Sequence, residues 1–310
     1  MTDCFLSLDA GTTSSRAVVF DANGAVLGTA QHEFDQHFPA PGLVEHDAVQ
    51  IRDTQMRAVE EVLGVAGAPS VCAVGVTNQR ETVVVFDRRT GLPVHRALVW
   101  QDRRTAATMR DMKGREDAIR AATGLPLDPY FSASKIAWIL DHVDGARAAA
   151  ERGELGAATI DAWLVYCLTG GKVFATEPSN ASRTMLFGIE SCEWSDDLCE
   201  WLRVPRACLP EVRPSAGDFG TVATGRGAGL PITGVVGDQQ AALFGHAGTE
   251  PGDSKCTYGT GAFWLTNAGP TRPTPSSGLL ATVAWQIGDR VDYAIEGLSL
   301  IHISEPTRPY

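Results

Sequence analysis

The beginning of the chain alternates short apolar runs with polar turns. Residues 4–8, 17–20 and 25–30 each form an apolar run of the length of a short strand. The segment 21–24, Asp-Ala-Asn-Gly, separates the second run from the third, and Asn-Gly is suited to the positive φ angles of a hairpin turn. The pattern predicts three successive strands joined by tight turns.

Helical and strand patterns follow one another further along the chain. The spacing of apolar residues predicts helices over 48–65, 105–123 and 132–142, with Gly124 ending the second. Apolar runs predict strands over 71–76, 82–87 and 232–236, and the last of these leads into a helical pattern. Polar residues that could bind a ligand or take part in a reaction stand at the ends of several of these strands.

The turn after the first strand is a candidate phosphate-binding loop. It follows Asp9 and contains Gly11, Thr12, Thr13, Ser14 and Arg16. Hydroxyls and backbone N–H groups in such a turn can converge on phosphate oxygens, and the acid can hold hydrated Mg²⁺. The stretch is not a Walker A loop, because it has no Gly-Lys-Ser/Thr and no helix directly after it. The alternative is a polar hairpin turn on a surface sheet.

Arg80 and Glu81 form a polar interruption between two apolar strands. A guanidinium only donates hydrogen bonds and a carboxylate only accepts them, so the two together match vicinal hydroxyls, which do both. Neighbouring residues on an extended strand point to opposite sides, but a bulge or turn would let them converge. The alternative is a surface turn with a solvated ion pair.

Two further strand ends carry candidate residues. Trp100 follows the apolar pair 98–99 and is either an apolar wall for a carbon backbone or core filler. Asp238 stands where a strand meets a helix N-terminus, which favours its ionised form and directs it at a ligand above the sheet edge. As an alternative, it is a plain helix cap. Residues 256–261 form a second Gly/Thr turn.

Composition narrows the class of protein. The 310 residues suggest about two domains, and the net charge of −11 argues against nucleic acid or an anionic membrane as a partner. The seven cysteines contain no Cys-x-x-Cys pair, so we expect a reduced, cytoplasmic chain without a zinc site. No run reaches the length of a transmembrane helix, and we expect neither a signal peptide nor an integral membrane segment.

Several motifs together resemble one enzyme family. The string from Asp9 to Arg16 resembles the first phosphate loop of the actin and hexokinase ATPase superfamily, in the form found in the FGGY carbohydrate kinases. The segment 130–142, Tyr-x-Ser-x-x-Lys-Ile-x-Trp-Ile-x-Asp-His, resembles the first signature of that family. Segments 78–81, 180–185, 237–240 and 258–263 resemble its branch that phosphorylates glycerol, and the resemblance extends over residues 6–297.

The resemblance implies a fold and a reaction. We expect an α/β architecture of two ribonuclease-H-like domains with a cleft between them, the first covering residues 1–246 and the second starting at 247. The implied reaction transfers a phosphoryl group from ATP to glycerol, with Mg²⁺, in a protein that forms a homo-oligomer when full length. The first alternative is another FGGY kinase that acts on a pentulose or a tetritol. A non-catalytic chaperone or filament protein of the wider superfamily is the second, although it would have no reason for Arg80-Glu81 with Trp100.

The resemblance also assigns roles to individual residues. Asp238 would be the general base, a role for which an ordinary low pKa suffices, and it would lie near Mg²⁺ together with Asp9. The residues implied to bind substrate are Arg80, Glu81, Trp100, Tyr130, Asp238, Gln239 and Phe263. Those implied to hold the phosphates of ATP are Thr12, Thr13, Ser14, Arg16, Gly259 and Thr260.

The end of the chain departs from the family. Residues 298–310 match nothing in it and resemble a translated sequencing adapter, so we interpret them as a non-native tail. Residues 247–297 would then be the start of a truncated second domain, too short to close a core of its own. On this interpretation we expect poor packing after Phe263 and no appreciable kinase activity from the isolated chain.

Overall fold

The computed structural model describes residues 3–65, 70–258, 261–275 and 278–300. The strands are β1 (Cys4–Ala10), β2 (Ser14–Asp21), β3 (Val26–Glu33), β4 (Gln36–His37), β5 (Glu45–His46), β6 (Val71–Asn78), β7 (Val83–Asp87), β8 (Ala97–Leu98), β9 (Leu155–Thr159), β10 (Ala175–Thr176), β11 (Phe187–Gly188), β12 (Glu193–Trp194), β13 (Glu211–Val212), β14 (Ile232–Gly237), β15 (Ser254–Tyr258), β16 (Gly261–Gly269), β17 (Leu280–Ile287) and β18 (Arg290–Leu300).

The helices lie between these strands. They are α1 (Ala48–Val65), α2 (Ala106–Asp111), α3 (Glu116–Thr123), α4 (Ser132–His142), α5 (Ala146–Glu151), α6 (Ile160–Leu168), α7 (Pro178–Ala181), α8 (Asp196–Trp201) and α9 (Asp238–Gly245). Single 3₁₀ turns cover Lys113–Arg115 and Arg206–Cys208. Among the helices of the described ranges, none combines the length and the apolar character that a bilayer crossing requires.

The first sheet has the strand order β14-β6-β1-β2-β3. Strands β1, β2 and β3 pair antiparallel, as the three apolar runs and the Asn-Gly turn predict, whereas β6 and β14 join parallel to β1. Helices α1 and α6 cover one face, where Leu8, Ile51 and Trp163 are fully buried. Three antiparallel strands, a helix and then parallel strands on the other edge form a ribonuclease-H-like α/β fold.

The parallel register decides where the polar strand ends meet. Ala10 at the end of β1 pairs with Asn78 at the end of β6, and Gly237 at the end of β14 pairs with the same residue. Parallel strands bring their carboxyl ends to one edge of a sheet, which is where ligands bind in open α/β sheets. The segments that follow β1, β6 and β14 therefore face one another.

Two other sheets adjoin this edge. The second sheet, β4-β5-β8-β7-β9, packs against α4 and has a core that includes Val83, Leu98 and Ile136. The third sheet, β15-β16-β18-β17, packs against α7 and α9.

The expectation of poor packing after Phe263 is wrong. Leu265, Ala284 and Ala294 are fully buried with Leu243 of α9, and Ala281 and Val283 are buried with Phe187. Residues 247–297 do not depend on a core of their own, because β17 and β18 bury apolar side chains against helices that precede them in the chain. The proposed domain boundary at residue 246 stays a prediction, and residues 301–310 of the predicted tail lie outside the described residues.

Candidate active site

A pocket of about 100 Å³ opens at the carboxyl edge of the first sheet. It is lined by Thr12, Gln79, Arg80, Glu81, Trp100, Tyr130, Asp238, Gln239 and Phe263. All seven residues that the sequence analysis assigns to substrate binding line this one pocket, together with one residue of the candidate phosphate loop. The described residues thus bring charged groups, aromatic rings and a phosphate loop to a single cavity.

Glu81 has a strained backbone that turns its side chain towards that of Arg80. Its φ is +61°, and the N–H of Thr82 donates to the carbonyl of Arg80 at 2.8 Å, which defines a γ-turn centred on Glu81. The hydroxyl of Ser132 donates to the carbonyl of Glu81 at 3.1 Å and supports the turn. Strain of this kind costs about 1–3 kcal/mol and clusters at functional sites. The turn brings both side chains into the pocket, as the sequence analysis required.

Arg80 is held by a set of buried partners. Its Nη1 and Nη2 donate to the two carboxylate oxygens of Glu296 at 2.8 and 2.7 Å, and Nη1 also donates to Gln240 Oε1 at 3.1 Å. Its Nε lies 3.3 Å from Asp238 Oδ1. Arg80 and Glu81 are only 3% and 2% exposed, so the alternative of a solvated surface ion pair is wrong.

Arg183 connects the two acids of this cluster. Its Nε donates to Glu81 Oε1 at 2.5 Å, and its Nη1 lies 3.1 Å from Glu296 Oε2. Burial raises the pKa of Glu81, although Arg183 and Arg80 oppose that effect. For Glu296, burial is outweighed by Arg183 and Arg80, which lower its pKa to about 2. Glu296 is therefore a permanent anion between two guanidinium groups near neutral pH.

We expect Gly237→Ala to weaken substrate binding, because a Cβ at that position would lie 2.8 Å from Cδ and 3.0 Å from Cγ of Arg80. Arg80 cannot withdraw easily while Glu296 and Gln240 hold its guanidinium, and overpacking of this kind costs about 1–3 kcal/mol. A higher KM for the substrate that binds in this pocket should accompany a lower melting temperature. The matched control is Gly234→Ala on the same strand, where a Cβ would meet only Ser215 O at 4.0 Å. Equal effects of the two substitutions on KM would contradict the prediction.

Aromatic side chains form the apolar walls of the pocket. The ring of Trp100 lies 5.7 Å from that of Tyr130 and 6.2 Å from that of Phe263, measured between centroids. Lys135 fixes the loop that carries Tyr130, since its Nζ donates to the carbonyls of Pro129 and Tyr130 at 2.7 and 2.5 Å. Trp100 is 7% exposed and touches the cavity, so it is a pocket wall rather than core filler alone.

Asp238 occupies the junction of β14 and α9 that the sequence pattern predicts. Its Oδ1 accepts the backbone N–H of Gln239 at 2.7 Å, and its side chain is 36% exposed. Burial raises its pKa above the usual value while Arg80 opposes the change. Lys255 on β15 donates to Gln239 Oε1 and to Thr257 Oγ1, which positions the neighbouring Gln239.

The first candidate phosphate loop is a tight turn between β1 and β2. The N–H of Gly11 donates to Ser14 O at 2.9 Å, and Thr12 Oγ1 accepts the indole N–H of Trp100 at 3.2 Å. Gln31 joins Ser14 to Arg16 through side-chain hydrogen bonds of 2.9 and 3.1 Å. Thr13 is exposed, and Arg16 is exposed on the strand directly beside Asp9. Gly259 and Thr260 of the second predicted loop lie outside the described residues.

A neutral histidine supports the first loop from behind. His46 Nε2 donates to Gln36 Oε1 at 2.7 Å, and its Nδ1 accepts from Gln79 Nε2 at 3.4 Å. Gln36 and Gln79 in turn donate to the carbonyls of Thr12 and Gly11. Burial, assisted by His37, lowers the pKa of His46 to about 4. The network requires the neutral imidazole, because a protonated Nδ1 would face the Gln79 amide donor.

Acid should therefore destabilise the protein through His46. Below the ordinary histidine pKa of about 6.5, His46 is protonated in the unfolded chain but stays neutral in the folded chain. The contribution of neutral His46 to the free energy of unfolding is therefore fully present above pH 6.5 and decreases towards pH 4. The loss is on the order of 3 kcal/mol at pH 4. His46→Gln preserves one donor and one acceptor and should flatten the dependence of the melting temperature on pH. The exposed His142→Gln is the control, and equal slopes for the two variants would refute the prediction.

Asp9 and Asp238 can serve a divalent cation together. Burial raises the pKa of Asp9 against the effect of Arg16, and Asp9 itself contributes to the raised pKa of Asp238, so the two carboxylates are near enough to interact. The described residues contain no cluster of three or more metal-binding side chains. Mg²⁺ in kinases commonly takes only one or two carboxylates, with substrate phosphates and water completing its shell. The donor set fits that mode of binding.

Several residues support the site through contacts that no sequence pattern predicts. Arg183, Glu296, Gln240 and Lys255 come from four different segments, and spacing alone does not bring them to Arg80 or Gln239. Glu296 offers a faint signal, because it occupies the same strand face as the buried Ala294, where an apolar residue is normally expected. His46 and Gln79 likewise act through contacts that only the fold creates.

The family model for the N-terminal domain of the FGGY family of carbohydrate kinases matches residues 4–245. The chain therefore belongs to the FGGY family of carbohydrate kinases. This confirms the family resemblance inferred from the motifs, and the ribonuclease-H-like α/β fold agrees with it.

The chain is similar to individual kinases along most of its length. A glycerol kinase from Trichlorobacter lovleyi is 55% identical over 297 residues, which cover 94% of this chain and 60% of the relative. The crystal structure of Plasmodium falciparum glycerol kinase with ADP has a TM-score of 0.92 and 32% identity, covering 96% of this chain and 61% of that one. A xylulose kinase from Rhodospirillum rubrum, at 22% identity and a TM-score of 0.85, shares the fold, with 96% of this chain and 61% of that one covered. The chain spans about 60% of the length of the curated relatives it matches.

Proposed function

We propose that the full-length protein transfers the γ-phosphoryl group of ATP to glycerol, giving glycerol 3-phosphate and ADP. The observation that carries the proposal is the pocket in which Arg80, Glu81 and Asp238 face a small cavity between aromatic walls. The guanidinium offers donors, the carboxylates offer acceptors, and the rings cover carbon atoms, as a short polyol requires. The relatives named glycerol kinase, 52–55% identical to this chain, support the same substrate.

The pocket's size favours glycerol over the alternative pentulose. The cavity is small, with a volume of about 100 Å³. Trp100, Tyr130 and Phe263 limit the cavity on the apolar side. A chain of three carbons with three hydroxyls suits this space better than a five-carbon sugar.

The residues around Asp238 suit it to act as the general base. Its carboxylate would accept the proton of a terminal glycerol hydroxyl, whose oxygen then attacks the γ-phosphorus while the bond to the ADP oxygen breaks. A raised pKa makes the carboxylate a stronger base, and Arg80 keeps it ionised. Phosphoryl transfer depends mainly on positioning and on charge stabilisation, so a modest base is sufficient.

The first phosphate loop would hold the transferred group next to the pocket. Thr12 lines the cavity, and the candidate phosphate-binding residues Thr13, Ser14 and Arg16 follow it directly. Asp9 and Asp238 would hold Mg²⁺, which neutralises charge on the phosphate oxygens when bound. A phosphate-binding role for Gly259 and Thr260, homo-oligomerisation and a cytoplasmic location stay predictions from the resemblance.

A substrate panel tests the proposal directly. The full-length protein with ATP and Mg²⁺ should show a kcat/KM for glycerol at least tenfold above those for erythritol, xylulose and ribulose. A preference for a pentulose or a tetritol would replace glycerol with the alternative FGGY substrate. The absence of phosphorylation of every polyol would favour a non-catalytic nucleotide-binding protein instead.

A further inference from the structure

The two terminal nitrogens of the Arg80 guanidinium already donate hydrogen bonds to acceptors within the protein. Nη1 donates to Glu296 Oε2 and Gln240 Oε1, and Nη2 donates to Glu296 Oε1. A guanidinium has five N–H donors, and these three bonds leave the Nε hydrogen and the second Nη2 hydrogen. Within the described ranges no hydrogen bond of the protein uses the second Nη2 hydrogen, and Nε makes an ion pair of 3.3 Å with Asp238 Oδ1, which itself lines the cavity. The Nε and Nη2 hydrogens lie parallel along one edge of a planar group.

This Nε–Nη2 edge is the part of Arg80 that a ligand in the pocket can reach. Arg80 lines the cavity, and its Nε is on the side of Asp238, which lines it too. Two parallel donors match two neighbouring oxygen atoms, as in a vicinal diol, better than a single oxygen. Glu81 lies in the same cavity and supplies the acceptor that the hydrogens of such a diol need.

Glu296, on a different sheet, holds both the donor Arg80 and, through Arg183, the acceptor Glu81 in place. It lies on β18 of the third sheet and is fully buried, and it binds the end of Arg80 while contacting Arg183. Arg183 in turn donates to Glu81. Without the negative charge of Glu296, Arg80 would be free to turn its end towards Glu81 and Asp238, and it would occupy the acceptors meant for substrate.

We propose that Glu296, assisted by Gln240, is a positioning residue that determines which edge of Arg80 faces the pocket. In this way Glu296 sets the preference of the pocket for ligands with two neighbouring hydroxyls. The inference rests on the proposed function, because it concerns how the same pocket recognises its polyol. Glu296 itself does not line the cavity. Its effect is transmitted through Arg80 and, by way of Arg183, through Glu81.

Glu296→Gln in the full-length protein tests this role, because it preserves shape and removes the charge. We expect KM for glycerol to rise roughly tenfold to a hundredfold, as for the loss of a charged hydrogen bond, with KM for ATP changed less than twofold. Discrimination between glycerol and propane-1,3-diol, which lacks the middle hydroxyl, should fall about tenfold. Glu296→Asp keeps the charge but is one methylene shorter, so we expect a smaller rise in KM for glycerol. If the Glu296→Gln protein does not fold, the Glu296→Asp protein provides the test in its place.

Asp292→Asn is the matched control. Asp292 is buried on the same strand and binds Trp285 Nε1 at 3.0 Å and the side chain of Arg290, away from the pocket. This variant should lower the melting temperature without changing KM for glycerol. A purely structural role of Glu296 predicts the same behaviour for both variants, and that result would overturn the proposal.

A double-mutant cycle with Arg80→Gln tests whether Glu296 acts on glycerol binding through Arg80 or through a general effect on the structure. If Glu296 acts through Arg80, Glu296→Gln should change KM for glycerol far less in the Arg80→Gln background than in the wild type. Additive effects would refute the inference. Failure of the wild-type protein to phosphorylate glycerol would instead reject the proposed function, so the two failures can be told apart.

Discussion

Asp238→Asn should reduce kcat by roughly 10²–10⁴-fold, the usual effect of losing a general base. The asparagine has nearly the same shape, and its Oδ1 can still accept the N–H of Gln239, so the start of α9 should be intact. Arg80 would keep both hydrogen bonds to Glu296, and glycerol binding should therefore change little. Single-turnover rates and glycerol titrations of the full-length variant separate the two effects.

Asp21→Asn is the control for this substitution. Asp21 caps the hairpin between β2 and β3, where its Oδ1 accepts the N–H groups of Asn23 and Ala25. Its replacement should leave kcat unchanged. If the full-length Asp238→Asn protein keeps a kcat near that of the wild type, Asp238 is not the base.

Arg80→Ala should weaken glycerol binding much more than ATP binding. The substrate would lose a charged hydrogen bond worth about 1.5–3 kcal/mol, which corresponds to a rise in KM of roughly tenfold to a hundredfold. The variant also leaves Glu296 with one guanidinium partner fewer in a fully buried position, so we expect a large loss of thermal stability. Steady-state kinetics with each substrate varied in turn would measure the effect.

An exposed arginine provides the comparison for Arg80. Arg290 has a side chain that is 61% exposed and pairs with Asp292, so Arg290→Ala should change neither KM by more than twofold. Equal increases in KM for glycerol and ATP in the Arg80→Ala protein would indicate a folding role rather than a place in the polyol site.

Local sequence patterns predict the elements of the first sheet well. Apolar runs, the Asn-Gly turn and the polar residues at strand ends locate β1, β2, β3, β6 and β14 to within a few residues. These signals are local, and the parallel register then brings Asp9, Arg80 and Asp238 to one edge. Arg80, Glu81, Trp100 and Asp238 could therefore be chosen from local patterns. Tyr130, Gln239 and Phe263 were implied only by the resemblance to the family.

The support of the site depends on contacts that no local pattern encodes. Glu296 lies 216 residues after Arg80, and Arg183 lies 102 residues after Glu81. The raised pKa of Asp238 likewise depends on burial by neighbouring elements, which a strand-end motif does not reveal. The packing of β17 and β18 was mispredicted for the same reason, because Ala281 and Val283 are buried with Ala181 of α7, and Ala284 and Ala294 with Leu243 of α9.

A crystal structure of the full-length protein with glycerol and a non-hydrolysable ATP analogue would show how the pocket binds its polyol. We expect two neighbouring glycerol hydroxyls between the Nε–Nη2 edge of Arg80 and Glu81, the hydroxyl of the third carbon within hydrogen-bond distance of Asp238, and the carbon chain against Trp100 and Phe263. Glycerol bound outside this pocket, or bound in it with no contact to Arg80 and Asp238, would show that the proposed substrate site is wrong.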